Sequence, residues 1–126
     1  MSNNPVGWFE IYVQNMQRAK QFYETVLATK LDKLETPGPG VSEMWAFPMR
    51  QDAVGAGGAL VKMDGGPSGG SATIVYCSCA DCAVESKRAP ASGGKVMKDK
   101  FSIGQFGFIA LVIDPDGNTI GLHSMK

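Results

Sequence analysis

One order of local patterns occurs twice in this chain, on either side of the Gly- and Ser-rich stretch DGGPSGGS at residues 64–71. In the first half, WFEIYV at residues 8–13 has the aromatic and β-branched content of a strand. Asn15 follows and can cap a helix, MQRAKQFYETVLA, in which Met16, Ala19, Phe22, Tyr23, Val26 and Leu27 recur at the spacing of one buried face. A short strand is predicted near residues 30–34, a loop at TPGPG (36–40), and further strands at 42–49 and 57–63. The pattern then restarts. ATIVYCSC at 72–79 reads as a strand, and Asp81 can cap the helix CAVESKRAPAS, which Pro90 weakens and Gly93-Gly94 ends. Strands are predicted at 94–101 and 107–113, followed by a last one that begins at Thr119.

The final two strands are joined by Asp114-Pro115-Asp116-Gly117-Asn118. Pro115 presets φ at the second turn position and Gly117 can take φ > 0, so this is a hairpin. A period of about sixty residues repeated once is too long for a solenoid and marks a duplicated module. The predicted fold class is therefore α+β: two tandem βαβββ modules forming a single cup-shaped domain of mixed β-sheet with helices outside. Module one covers 5–63, the linker 64–71 and module two 72–126.

Charge narrows the function classes. Twelve basic residues balance twelve acidic ones, with no basic run, so nucleic acid and anionic membrane are excluded as expected partners. No apolar run approaches the ~20 residues of a membrane span, and MSNNPVGWFE lacks the features of a signal peptide. Three cysteines crowd into CSCADC at Cys77, Cys79 and Cys82, an odd number that suits a reducing, cytoplasmic location better than a secreted disulfide framework.

Alternation assigns the strand faces. Ile11 with Val13, and Ile120 with Leu122, are the apolar phases and are expected to face the helices. The opposite phases then hold Trp8, Glu10 and Tyr12 on the first strand, Ile74 and Tyr76 on the strand that opens module two, and Gly121 and His123 on the last.

The strand followed by NMQRAKQFYETVL, the GGKV after the second helix, and the ending FGFIALVIDPDGNTIGL resemble the vicinal oxygen chelate superfamily, which includes glyoxalases, bleomycin-resistance proteins and extradiol dioxygenases. The resemblance spans both modules and implies a concave site. In the family's metal enzymes, ligands come from the first and last strands of each module. Here the first such position falls on Trp8, the third on Ile74 and the fourth on Gly121, and the second falls within Ala59–Val61. None of these side chains can ligate a divalent ion, so no metal and no cofactor are expected.

The candidates that remain are Glu10 and His123 for acid/base work, and Trp8, Tyr12, Met44, Trp45, Phe47, Tyr76 and Gly121 for lining a ligand. Each has a plainer alternative: Glu10 suits a structural ion pair, His123 a structural or solvated role, and the aromatic residues ordinary core. Cys77 and Cys79 share the face expected to pack on the helix, where free thiols behave as small apolar groups. GQFG and DGGPSGG read as flexible loops, since neither leads from a strand into a helix N-terminus.

The leading expectation is a metal-independent module that binds a small aromatic or amphipathic molecule, with Glu10 and His123 facing one cavity. A glyoxalase-type lyase or isomerase using Glu10 or His123 is the alternative, and an accessory dimerisation module without ligand a third. A homodimer is expected from the family and from an apolar rim at Met44, Trp45 and Phe47.

Overall fold

The computed structural model describes residues 4–36, 38–66, 68–70 and 72–126. Pro37 of the predicted loop, Pro67 and Ser71 of the predicted linker, and the first three residues of the N-terminal stretch lie outside them.

Eleven elements follow one another as β1 (Val6–Tyr12), α1 (Met16–Val26), β2 (Asp32–Leu34), β3 (Val41–Ala46), β4 (Gly57–Met63), β5 (Thr73–Ser78), α2 (Cys82–Ala91), β6 (Lys95–Ser102), a 3-10 turn (Gly104–Phe106), β7 (Phe108–Ile113) and β8 (Thr119–Ser124). This is βαβββ twice over, an α+β architecture with strands in mixed pairings. The chain divides into two compact units, Phe9–Thr73 and Ile74–Lys126, the latter joined by the residues up to Trp8, so β1 contributes to both.

In the Phe9–Thr73 unit the strand order is β2-β3-β4-β1. Asn15 caps α1 as its composition suggests: its side-chain oxygen accepts from the Arg18 N–H, one of the helix's orphan donors. The core unites Met16, Leu31 and Leu60 with Ile11, Val13, Ala19, Tyr23, Trp45 and Phe47. The apolar stripe of α1 is thus buried over less of its extent than predicted. Met16, Ala19 and Tyr23 face the sheet, whereas Phe22, Val26 and Leu27 are 57%, 61% and 56% exposed. Val26, seven residues from Ala19, and Leu27, four from Tyr23, continue the same stripe, but they sit at the C-terminal end of the helix, where no neighbouring element buries them.

In the Ile74–Lys126 unit the order is β1-β5-β8-β7-β6, with β5 and β8 parallel and the β8-β7-β6 pairings antiparallel. Asp81 caps α2 by accepting from the Ala83 N–H and also holds the Lys100 ammonium at 2.9 Å; the Lys100 bond, then the backbone bond, keeps its carboxyl below the usual aspartate range. Pro90 sits in the last turn of α2, and the chain leaves through Gly93 at φ 89°. Cys82, Ala110, Val112 and Leu122 form the core, joined by Cys77, Cys79, Ala89, Phe108 and Ile120. The hairpin closes around Asp114, whose Oδ1 accepts from the Asp116 and Asn118 N–H groups and whose Oδ2 accepts from the Asn118 side chain. Gly117 takes φ 89° there. β6 forms one edge and guards it with Lys95, Lys98 and Lys100 and with two register shifts, devices that discourage strand addition.

Candidate functional site

The site residues are set by strand phase, and the phase can be read from packing. In β1, Phe9 lies 5.4 Å from Phe47 and Ile11 joins the helix-side core, so Trp8, Glu10 and Tyr12 belong to the other face. Within that face the Tyr12 hydroxyl donates to Glu10 Oε1 at 2.8 Å in a half-buried pair. The carboxylate is therefore oriented by a phenol two residues along its own strand, a local contact that period 2 makes available.

In β3 and β4 the register pairs Met44 with Val61, Trp45 with Leu60 and Ala46 with Ala59. Leu60 and Trp45 are in the helix-side core, so Met44, Ala46, Ala59 and Val61 form the opposite face. Trp45 and Phe47 were expected to line a ligand together with Met44. Alternation forbids that grouping: Phe47 packs edge-on against Tyr23 of α1 at 5.6 Å, and Lys20 of α1 sets its ammonium 3.3 Å from the centre of the Trp45 ring. Trp45 and Phe47 are core and helix-contact residues. Met44 is buried, so the apolar rim on which self-association was argued does not exist in that form. Of the stretch Ala59–Val61, in which the resemblance puts the family's second ligand position, Ala59 and Val61 lie on the face opposite the helix, both buried and all carbon.

In β5 and β8, Tyr76 is the register partner of Gly121, Cys77 of Leu122 and Ser78 of His123. Leu122 is in the core beside α2, and the Ser124 hydroxyl accepts from the Cys82 N–H at 3.0 Å. Gly121 and His123 therefore take the opposite face, with Tyr76 and Ile74. Tyr76 is packed so closely over Gly121 that a Cβ there would overlap its ring. His123 is held through Nε2, 2.6 Å from the Phe106 carbonyl. A carbonyl can only accept, so Nε2 carries the proton and, in the neutral ring, Nδ1 keeps a lone pair. Nothing in GQFG announces this partner. The segment was expected to be a flexible loop, yet it forms a 3-10 turn closed by the Gly107 N–H donating to Gly104, with Gly107 at φ 100°.

The cysteines follow their expected packing. Cys77 and Cys79 line the α2 core and all three thiols are free. Burial, reinforced by the Glu85 carboxylate and by Cys82, pushes the Cys79 thiol up to about 11, and burial raises Cys77 as well. At neutral pH these are thiols rather than the thiolates that bind soft metal ions. Among the described residues, no three His, Cys, Asp or Glu side chains come together as a metal site. At the four positions that the resemblance assigns to the family's metal ligands, Trp8, Ala59 or Val61, Ile74 and Gly121, the side chains present do not fit a divalent ion.

Paired βαβββ modules define the class of fold. A profile of the Glyoxalase/Bleomycin resistance protein/Dioxygenase superfamily matches residues 6–122, and the chain belongs to that superfamily. Among solved structures, a hypothetical protein from Bacillus halodurans C-125 superposes with a TM-score of 0.74 at 14% identity, covering 100% of this chain and 96% of that one. Methylmalonyl-CoA epimerase from Mycobacterium tuberculosis gives 0.70 at 15%, with 97% and 88% covered. A variant of the Streptomyces coelicolor epimerase in complex with 2-nitronate-propionyl-CoA gives 0.67 at 14%, with 98% of each chain covered. At such identities these likenesses establish the fold alone. No curated protein matches the sequence. No helix of the described residues is long and apolar enough to cross a membrane.

Proposed function

We propose that this protein is a metal-independent binding module for a small aromatic or amphipathic molecule. One observation carries this: at the four positions where the family's metal enzymes place ligands, the side chains are an indole, an aliphatic group, another aliphatic group and none at all. Each unit has a polar group that could hydrogen-bond a ligand, Glu10 oriented by Tyr12 in one and His123, held through Nε2, in the other, and Trp8 is the candidate for aromatic contact. Affinity then comes from apolar burial and stacking instead of chelation.

A thermal-shift panel of small aromatic acids, amines and neutral rings, run with and without a chelator, tests the proposal. A ligand at a hundredfold excess over its Kd stabilises by about 2.7 kcal/mol, enough for a clear rise in Tm. We expect such a rise, unchanged by chelator. Stabilisation that appears only with a divalent ion would refute it.

The second reading is a lyase or isomerase of the glyoxalase type. It is favoured by the fold shared with proteins named as epimerases and by the ring of His123, held through Nε2 on the Phe106 carbonyl so that Nδ1 is left for a ligand. Glu10 or His123 would act as proton shuttle, without the electrostatic stabilisation that a metal gives a developing oxyanion.

We further propose a homodimer in a reducing, cytoplasmic compartment, the setting that three free thiols suit. The surface we assign to self-association is the exposed apolar group Phe22, Val26 and Leu27 on and just beyond α1, in place of the buried Met44. Light scattering at micromolar concentration should report twice the chain mass. A monomer would remove self-association, and with it the accessory dimerisation alternative.

A further inference from the structure

The resemblance to the family puts its metal enzymes' last ligand at position 121, and Gly121 lies directly beside Tyr76 in the parallel β5/β8 pair. A Cβ built on Gly121 would overlap Cδ2 and Cε2 of the Tyr76 ring. Backbone conformation is not the reason for glycine: Gly121 is absent from the residues with positive φ, in contrast to Gly117 four residues earlier at φ 89°. Nor is the ring a loose surface group, since Tyr76 is 6% exposed. A glycine inside a strand with ordinary dihedrals and an aromatic ring against its Cα marks close approach of the neighbouring side chain.

We infer that the loss of a metal donor here is an exchange of volume, in which the Tyr76 ring occupies the space a side chain at position 121 would need. Two consequences separate this from a simple deletion. A carboxylate restored at 121 has nowhere to project while Tyr76 stays, so chelation is not one replacement away. And a molecule bound at this level of the strand meets an aromatic ring where the metal enzymes present a cation. That selects flat, apolar or aromatic groups over paired oxygens. The inference rests on the geometry of β5 and β8 and on assigning position 121 by the resemblance to the family; it does not require that a ligand be found.

In the unaltered protein, nuclear Overhauser effects should connect the Tyr76 ring protons with the Gly121 α protons, and those α protons should be shifted upfield by the ring. Their absence would overturn the inference without any variant. Gly121→Glu should lower the urea midpoint severely in the native background. In a Tyr76→Ala background the same replacement should cost less than half as much of the midpoint. Equal losses in both backgrounds would show that the ring is not what excludes the side chain. If the variants fail to fold, the proton contacts in the native protein decide alone. A protein that shows these contacts yet is stabilised by no aromatic compound would keep this inference and lose the binding proposal.

Discussion

Replacing Leu60 by alanine should destabilise the protein by about 2–5 kcal/mol, the range for deleting a large aliphatic side chain from a packed interior. Leu60 is fully buried, joins Met16 of α1 and Leu31 ahead of β2 in one cluster, and is the register partner of Trp45. It is therefore the residue through which helix and sheet in the Phe9–Thr73 unit share a core. The cavity left behind would be bordered by Trp45 and Phe47, whose rings are already fixed from the other side by Lys20 and Tyr23 and cannot collapse into it freely. Urea unfolding followed by far-UV circular dichroism measures the loss directly. Leu60→Met should retain most of the stability, since that exchange nearly conserves volume. A Leu60→Ala loss below about 1 kcal/mol, under the range for a buried aliphatic deletion, would mean that the helix-side face of β4 has been misassigned. The placing of Ala59 and Val61 on the opposite face would then be in question too, because all three follow from one register.

Much of the architecture was legible because its signals are local. Asn15, Asp81 and the Asp114–Asn118 turn each form the bond their position suggests, so element order and both caps could be read from adjacent residues. The phases of β1 and β8 were legible as well, since Ile11 with Val13 and Ile120 with Leu122 leave little choice of buried face. β3 was misread for a correctable reason: Met44, Trp45 and Phe47 were grouped by apolar character when alternation places Met44 opposite the other two. The buried extent of the α1 stripe was not legible. Spacing cannot tell whether a neighbouring element reaches Phe22 and Val26, and here none buries them. Three contacts that shape the candidate site join residues far apart in the chain or depend on packing: Lys20 over Trp45, His123 on the Phe106 carbonyl, and Tyr76 over Gly121. The last depends on how the Tyr76 ring packs across the β5/β8 pair, which no adjacent residues encode.

A second large effect is expected from metal content itself, because the outcome is close to all or none. The donor set required for a divalent ion is three or four His, Cys, Asp, Glu or comparable side chains converging at bonding distance. At the four positions assigned by the resemblance this chain offers Trp8, Ala59 or Val61, Ile74 and Gly121, and a side chain at 121 would overlap the Tyr76 ring. The three soft donors lie in the core beside α2: burial raises the Cys77 and Cys79 thiols, and Cys82 is fully buried. Glu10 is engaged by Tyr12, and the Nε2 of His123 by a carbonyl. No combination of these reproduces a chelating site on one face of one unit.

The most direct test is elemental analysis of protein purified without chelator and without added metal, repeated after incubation with Zn, Ni, Mn or Fe salts and desalting. We predict far less than one equivalent of any of these metals per chain in both preparations. A stoichiometric, retained divalent ion would contradict the account, since it would require donors that the observed strand phases do not supply.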